Sequence, residues 1–273
     1  FEVDIEALGK GGTGLGTAPD GRPVKVRFAP PGARLHVVPQ GKRKGVWTAR
    51  RVSMVQRPEA WAEPPCEAFR LCGGCALQEL HIDAQRAARE DLALRQMGDL
   101  GATVHPMRAG SPAYGYRNRV ELSFGGQRYV SEEDKAAGVP LDGRFLGFHA
   151  PGRFDRIADA ERCWLVSDVL NEVLAGVRAH TLRPEAPPPW APREQTGFWR
   201  HVALREARAT GAVLVDLGTG EGPAAEVEAL AQALLSRELP GGARVAGMRH
   251  YQNAGPGDVA RGIPLRTWGD ERI

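Results

Sequence analysis

Cys66-Glu67-Ala68-Phe69-Arg70-Leu71-Cys72-Gly73-Gly74-Cys75 holds three of the four cysteines of a 273-residue chain, and the fourth, Cys163, follows 88 positions after Cys75. Thiolates are soft ligands that suit iron–sulfur clusters and zinc. A four-cysteine zinc site usually presents its ligands as two close pairs. Three cysteines in one loop and a remote fourth is the commoner layout for a [4Fe–4S] cluster. The spacing therefore favours a cluster on Cys66, Cys72, Cys75 and Cys163. Zinc, or thiols that bind no metal or act in catalysis, are the alternatives. Four cysteine ligands leave no open coordination position, which points to a structural staple. A distant fourth ligand would pin a second part of the fold onto the loop.

The rest of the composition is ordinary for a globular protein, with 42% hydrophobic and 25% charged residues. No apolar run approaches the roughly 18 residues of a membrane span. The start, Phe-Glu-Val-Asp-Ile-Glu, has neither the basic residues nor the apolar core of a signal peptide. Few cysteines in a long chain argue for reduced thiols and a cytoplasmic setting. The chain begins at Phe1 without Met and ends at Arg272-Ile273 without a turn or cap, so both ends read as cut.

Charge is unevenly placed. Net charge is only +3, yet residues 22–57 hold ten Lys/Arg and no Asp or Glu. A block of one sign is the electrostatic footprint of a polyanion partner. The same stretch reads as short strands with glycine turns. Val3 to Leu8 alternates apolar and polar, Asp20-Gly21 marks a hairpin, and strands are expected over 23–29, 34–38 and 45–52. Such spacing favours a small OB-like barrel, a form that binds single-stranded nucleic acid through a basic groove with aromatic platforms. Lys25 and Arg27 lie on an expected strand, and Lys42, Arg43 and Lys44 in an expected loop beside a glycine. Gly11-x-x-Gly14-x-Gly16 fits no phosphate-loop pattern and reads as tight turns.

Beyond a proline-punctuated linker at 57–65, residues 82–97 are rich in helix formers and stop at Gly98, predicting one amphipathic helix. From about Gly101 the pattern is mixed α+β. Strands are expected over 116–124, 145–149, 199–205 and 212–217, with a last one over 243–249; helices are expected over 165–177 and 224–235. Arg117 and Arg119 would share a strand face, where phosphate or a splayed base can be held. His149 ends an aromatic strand and is a candidate for base stacking.

Cys66-x2-Phe69-x2-Cys72-Gly73-Gly74-Cys75-x2-Gln78 resembles the signature of the RNA (uracil-5-)-methyltransferases, which use S-adenosylmethionine to make 5-methyluridine in ribosomal and transfer RNA. Tyr116-Arg117-Asn118-Arg119-Val120-x-Leu122-Ser123-Phe124, Leu146-Gly147-Phe148-His149 followed by Cys163, and Phe198-Trp199-Arg200-His201-Val202-x-Leu204-Arg205 are similar to its central-domain segments. The resemblance implies a TRAM barrel at 1–57, an iron–sulfur loop and helix at 58–98, and an α+β central RNA-recognition domain at 99–273. It also implies a [4Fe–4S] cluster, and a monomer that binds structured RNA, ribosomal ahead of transfer RNA, with no DNA or membrane partner. In the family a C-terminal domain supplies the S-adenosylmethionine site, a catalytic cysteine and a glutamate base. None is found here: all four cysteines are assigned to the cluster, which leaves no nucleophile, and the sequence stops about where that domain would be expected to begin. The expectation is an RNA-binding portion that does not methylate RNA by itself. A stand-alone RNA-binding protein with a zinc or cluster staple is the alternative.

Val213-Leu214-Val215-Asp216-Leu217-Gly218-Thr219-Gly220-Glu221-Gly222 looks like the first cofactor loop of a Rossmann-type methyltransferase. That fold wants an acid about 20 residues on, at the end of the next strand, but His250-Tyr251-Gln252-Asn253 offers none. The segment is read as hairpin and turn, and no cofactor-binding or catalytic residue is assigned.

Overall fold

The computed structural model describes residues 1–110, 112–253, 255, 257 and 262–273. These form two compact units, Phe1–Pro65 with Gly74–Ala113, and Cys66–Gly73 with Tyr114–Ile273.

The first unit is built on a closed barrel of five strands: β1 (Glu2–Leu8), β2 (Gly14–Thr17), β3 (Pro23–Val26), β4 (Arg34–Arg43) and β5 (Val46–Gln56), in the order β1-β2-β3-β5-β4. Alternation decides its inside. Val3, Ile5, Val24, Val26, Leu35 and Val37 are buried, while the charged residues between them face out. β3 and β5 pair in parallel, and β1 with β4 closes the ring. Full closure leaves no sheet edge to aggregate.

Two details of the barrel correct the sequence reading. The glycine run is only partly turn, because Gly14 and Gly16 lie inside β2. A Cβ on Gly14 would sit 2.4 Å from the Ala29 carbonyl oxygen, and one on Gly16 would sit 2.2 Å from that of Asp4. Glycine is required there by close backbone approach. The expected Lys42-Arg43-Lys44 loop is instead the end of a long hairpin. Arg43 pairs with Val46, and Lys44 and Gly45 turn with φ of 51° and 81°. Two successive positive φ values make the type I′ turn that suits strand twist.

Helix α1 (Ile82–Met97) matches its expected bounds. Its amphipathic face is thin. Ala84, Ala88 and Leu92, four apart, pack against Leu8, Leu77 and Leu80, and no residue of the helix is fully buried. Arg95 ties its last turn to the barrel by donating to the Leu8 carbonyl at 2.6 Å.

The second unit is a seven-stranded sheet with the order β12-β11-β10-β9-β6-β7-β8. Its strands are β6 (Arg119–Gln127), β7 (Asp142–His149), β8 (Ile157–Asp159), β9 (Trp199–Ala207), β10 (Ala212–Thr219), β11 (Arg244–Gln252) and β12 (Ile263–Gly269). The helices are α2 (Glu132–Ala136), α3 (Asp168–Thr181) and α4 (Ala224–Leu235). α3 and α4 bury Leu170, Val173, Leu174, Val177, Leu230 and Leu234 in one core with sheet residues such as Leu122, Val202, Leu204, Val215 and Leu217. α3 starts at Asp168, not at Leu165, because the Ser167 hydroxyl caps it by accepting from the Leu170 N–H.

Here too the sequence reading needs correction. β9 and β10 form the expected antiparallel hairpin, but β10 is joined through α4 to a parallel partner, β11. The glycine segment is therefore a strand-to-helix passage in a βαβ crossover, not a second hairpin turn. β11 is not the last strand: β12 adds an antiparallel edge.

Candidate functional site

The basic block divides once its residues are placed. Acids from outside the block claim three of its arginines. Asp20 pairs with Arg22, Asp4 with Arg34 at 2.7 Å, and Glu79 with Arg51 at 2.5 Å. The Arg34 guanidinium beside Asp4 holds that carboxyl below the usual carboxylate range. The Arg51 pair is buried and bidentate, with a second contact of 3.0 Å, and Arg51 also donates to the Phe28 carbonyl at 2.7 Å. Arg51 is thus a clamp between β5 and the segment after Cys75.

Lys25, Arg27, Lys42, Arg43, Lys44 and Arg50 are exposed. Register brings several of them to one outer face. Lys25 on β3 is opposite Thr48 on β5, and Arg50 lies two residues further along β5 on the same side. Across the hairpin, Val38 faces Arg50, Gly41 faces Thr48 and Arg43 faces Val46. Arg27, just past the end of β3, continues the row from Lys25, and Lys44 sits at the hairpin tip. One ring accompanies these cations, with Arg27 5.6 Å from the ring centre of Phe28. The outer face of β3, β5 and β4 can hold a run of phosphates.

Sequence reasoning missed Arg50. The signal was present, since the alternation Ala49 in, Arg50 out, Arg51 in separates a surface cation from a buried one.

The other predicted contacts lie in the second unit. Arg117 precedes β6 and is held by its backbone, the N–H donating to the Leu165 carbonyl at 2.7 Å. Arg119 opens β6 and pairs with Glu121. Both are exposed, whereas His149 is half-buried at the end of β7, opposite Ile157.

Of the four cysteines, Cys66, Cys72 and Cys163 belong to the second unit and Cys75 to the first; all are half-buried. Cys66 and Cys72 bracket a tight coil. The Phe69 N–H donates to the Cys66 carbonyl at 3.0 Å and the Cys72 N–H to the Ala68 carbonyl at 2.8 Å, with Arg70 at a left-handed φ of 72°. Cys163 is fixed by the buried amide of Asn171 on α3, which accepts from the Cys163 N–H at 2.9 Å and donates to its carbonyl at 3.2 Å. Among the described residues, no three His, Cys, Asp or Glu side chains converge as a ligand set for a single metal ion.

The glycines of the methyltransferase-like segment are explained by packing. A Cβ would lie 2.2 Å from the His201 ring at Gly218, 2.5 Å from the Gly197 carbonyl oxygen at Gly220, and 2.4 Å from the Phe198 ring at Gly222. Each added Cβ would meet protein atoms, so packing within the unit is reason enough for glycine at these three positions. No described helix is long and apolar enough to cross a membrane.

No model of a known protein family matches the chain. It is 30% identical over 224 residues to an uncharacterized RNA methyltransferase of Porphyromonas gingivalis, covering 78% of this chain and 47% of that protein. It is 29% identical over 183 residues to the 23S rRNA (uracil(1939)-C(5))-methyltransferase RlmD of Francisella tularensis subsp. novicida, covering 65% and 38%. The fold is similar to that of Pyrococcus abyssi tRNA (uracil-54, C5)-methyltransferase in complex with S-adenosyl-L-homocysteine, with a TM-score of 0.70 and 20% identity over 99% of this chain and 56% of that one. That likeness runs through almost the whole chain. The expectation of a recognition portion lacking its catalytic domain, inactive by itself, is therefore withdrawn. The chain spans about half the length or less of the curated relatives it matches, 47% and 38% in these two cases, and those relatives are RNA methyltransferases.

Proposed function

We propose that this chain serves S-adenosylmethionine-dependent methylation of uridine C5 in RNA, ribosomal RNA ahead of transfer RNA. The observation that carries the reading is the outer barrel face of Lys25, Arg27, Arg43 and Arg50. It belongs to a stretch without one carboxylate and to a chain whose relatives are RNA methyltransferases. Phosphate contacts of this kind position an RNA without reading its sequence. A base embedded in a duplex must be taken out of its stack before C5 can be reached. The division of labour follows 1–57 as an OB-like TRAM barrel that holds backbone, 58–98 as the cysteine loop and helix, and 99–273 as the α+β RNA-recognition part with Arg117, Arg119 and His149.

Cys66, Cys72, Cys75 and Cys163 are proposed as the ligands of a [4Fe–4S] cluster, on their three-plus-one spacing and their half-buried thiols. A cluster spaces its thiolates more widely than a single ion does. Bound there, it would act as a staple. The tight coil at Cys66 and Cys72 and the Asn171 clamp on Cys163 would set its ligands in advance. Anaerobic purification with metal and sulfide analysis tests this. About four irons and four sulfides per chain support it; one zinc and no colour overturn it.

The function is tested in the source organism by deleting the gene and quantifying 5-methyluridine in each RNA class by mass spectrometry. Loss of one residue from ribosomal RNA supports the reading as stated. Loss from transfer RNA alone would move the substrate, and unchanged 5-methyluridine in both would sink it.

A further inference from the structure

α4, β11 and β12 enclose a groove of about 530 Å³ within the second unit. Ala225 and Ala229 of α4 line one side and Leu265 and Trp268 of β12 the other. His250 of β11 also lines it, although the residue is only 5% exposed. A hydrogen-bonding group this buried is costly unless it is matched.

The protonation of His250 follows from its neighbour. The Thr219 hydroxyl donates its single proton to the Gly220 carbonyl at 2.8 Å. In that arrangement its 2.8 Å contact with His250 Nε2 is one in which it accepts, which corresponds to the tautomer with the hydrogen on Nε2. Burial pushes the imidazole pKa down, which keeps the ring neutral. In that tautomer Nδ1 is the acceptor nitrogen of a ring that lines the groove.

The rest of the lining is already matched. Glu228 is engaged by Arg266 and by the Trp268 indole N–H at 3.4 Å, and the Arg266 guanidinium lies 4.9 Å from the Trp268 ring centre. What remains is an apolar slot with an aromatic border, one neutral acceptor and the Gln232 amide, whose N–H donates to Glu228 at 3.5 Å and whose carbonyl can accept. Flat heterocycles with an N–H donor beside a ring acceptor fit that set.

We propose that this groove binds an amino-bearing nucleobase, adenine or cytosine, whose exocyclic N–H donates to His250 Nδ1 while its ring lies between the alanines of α4 and Trp268. The base can come from an unpaired stretch of RNA or from a free nucleotide. The proposal does not rest on the barrel face.

The test titrates the full chain with adenosine 5′-monophosphate, with purine riboside 5′-monophosphate, which lacks the amino group, and with a short oligoadenylate. Trp268 fluorescence and calorimetry are the readouts. Adenosine monophosphate is expected to bind about tenfold more tightly than purine riboside monophosphate, the usual worth of one hydrogen bond whose loss strands a buried acceptor. Tighter binding of the oligonucleotide identifies RNA as the source, and equal binding identifies the free nucleotide. His250→Phe should erase the preference for the amino group. Since that variant can also disturb the core, Ala229→Leu serves as a second probe. Ala229 is exposed on α4, so the added side chain fills the groove without touching the core. It should weaken binding at least tenfold with an unchanged melting temperature. Equal affinity for the two mononucleotides, no effect of Ala229→Leu, or no binding of any probe would each overturn the proposal, and none of these results would alter salt-dependent RNA binding by the barrel.

Discussion

The two units use arginine in opposite ways. In the sheet unit, several arginines are spent on the fold. Arg178 reaches Asp159 at 2.8 Å together with the carbonyls of Leu146 and Ala160. Arg249 chelates Asp216 at 2.6 and 2.8 Å, an arrangement that raises its own pKa. Arg193 pairs with Asp155 at 2.7 Å and Arg183 with Glu226 at 2.5 Å. In the barrel unit, the stretch without acids leaves Lys25, Arg43, Lys44 and Arg50 on the surface. The difference teaches that an arginine held by a buried or bidentate carboxylate reports on the fold, whereas a surface cation without one can report on a partner. Arg22, Arg34 and Arg51 show the limit, each being taken by an acid from outside the stretch.

Arg50 and Arg51 put the sharpest test on that division, since neighbours in sequence fall on either side of it. Arg51→Ala strands Glu79 as a buried charge and should cost about 3–5 kcal/mol of stability. Arg50→Ala should leave stability within about 0.5 kcal/mol and weaken RNA binding instead. Chemical denaturation and fluorescence anisotropy with a labelled RNA separate the two effects. Equal stability of the two variants would break the distinction between clamp and contact.

If the sheet unit spends its residues on itself, its glycines should behave as its arginines do. Gly220→Ala brings a Cβ against the Gly197 carbonyl, a backbone atom that cannot swing away. Overpacking of that kind costs about 1–3 kcal/mol, read as a lower denaturation midpoint. A variant of undiminished stability would reopen the cofactor-loop reading of 213–222.

For the barrel face the measurement is salt dependence. Each phosphate contact removed should shallow the slope of log affinity against log salt by about 0.7 on single-stranded RNA. Lys25→Ala, Arg43→Ala and Arg50→Ala combined should therefore lower the slope by about 2. Arg249→Ala, a sheet-unit control whose guanidinium is held by Asp216, should leave it alone. A slope that moves equally in both would show that the ion-paired arginines also reach the RNA.

Much of this could be read beforehand, for reasons visible in particular residues. α1 and α4 carry long runs of helix formers, with Gly98 closing the first, so both have the expected bounds. Strands with a buried side announced themselves by alternation. β2 did not, because Gly14 and Gly16 have no side chains to alternate. β12 did not, because Pro264 and an exposed edge leave no pattern. The parallel pairing of β10 and β11 depends on partner direction, which a strand's own residues do not encode. At the site, the basic stretch and the cysteine spacing were legible. The division between Arg50 and Arg51 needed register, and the acceptor on His250 needed Thr219, 31 residues away.

Histidine gives the mildest test of how the two units differ. In the barrel unit His36, His81 and His105 are exposed. In the sheet unit His180 and His250 are mostly or fully buried, and both are pushed below the ordinary value of 6.5. Burial acts first on His180, followed by the nearby Arg183 charge, and burial alone acts on His250. The consequence has a definite sign. Above about pH 6.5 these imidazoles are neutral folded or unfolded and contribute no pH dependence. Below it the unfolded chain takes up protons that the folded chain refuses, so acid favours unfolding. The carboxyls of Asp4, Asp20 and Asp155, each lowered first by the arginine it pairs with, stay charged over this window. Lowering the pH from about 7.5 to 5.5 should therefore loosen α3, α4 and β11 while the barrel strands keep their protection, as followed by hydrogen exchange. His180→Asn and His250→Asn should each flatten the response. Equal loss of protection in the barrel would mean that the acid sensitivity has another origin than these two buried rings.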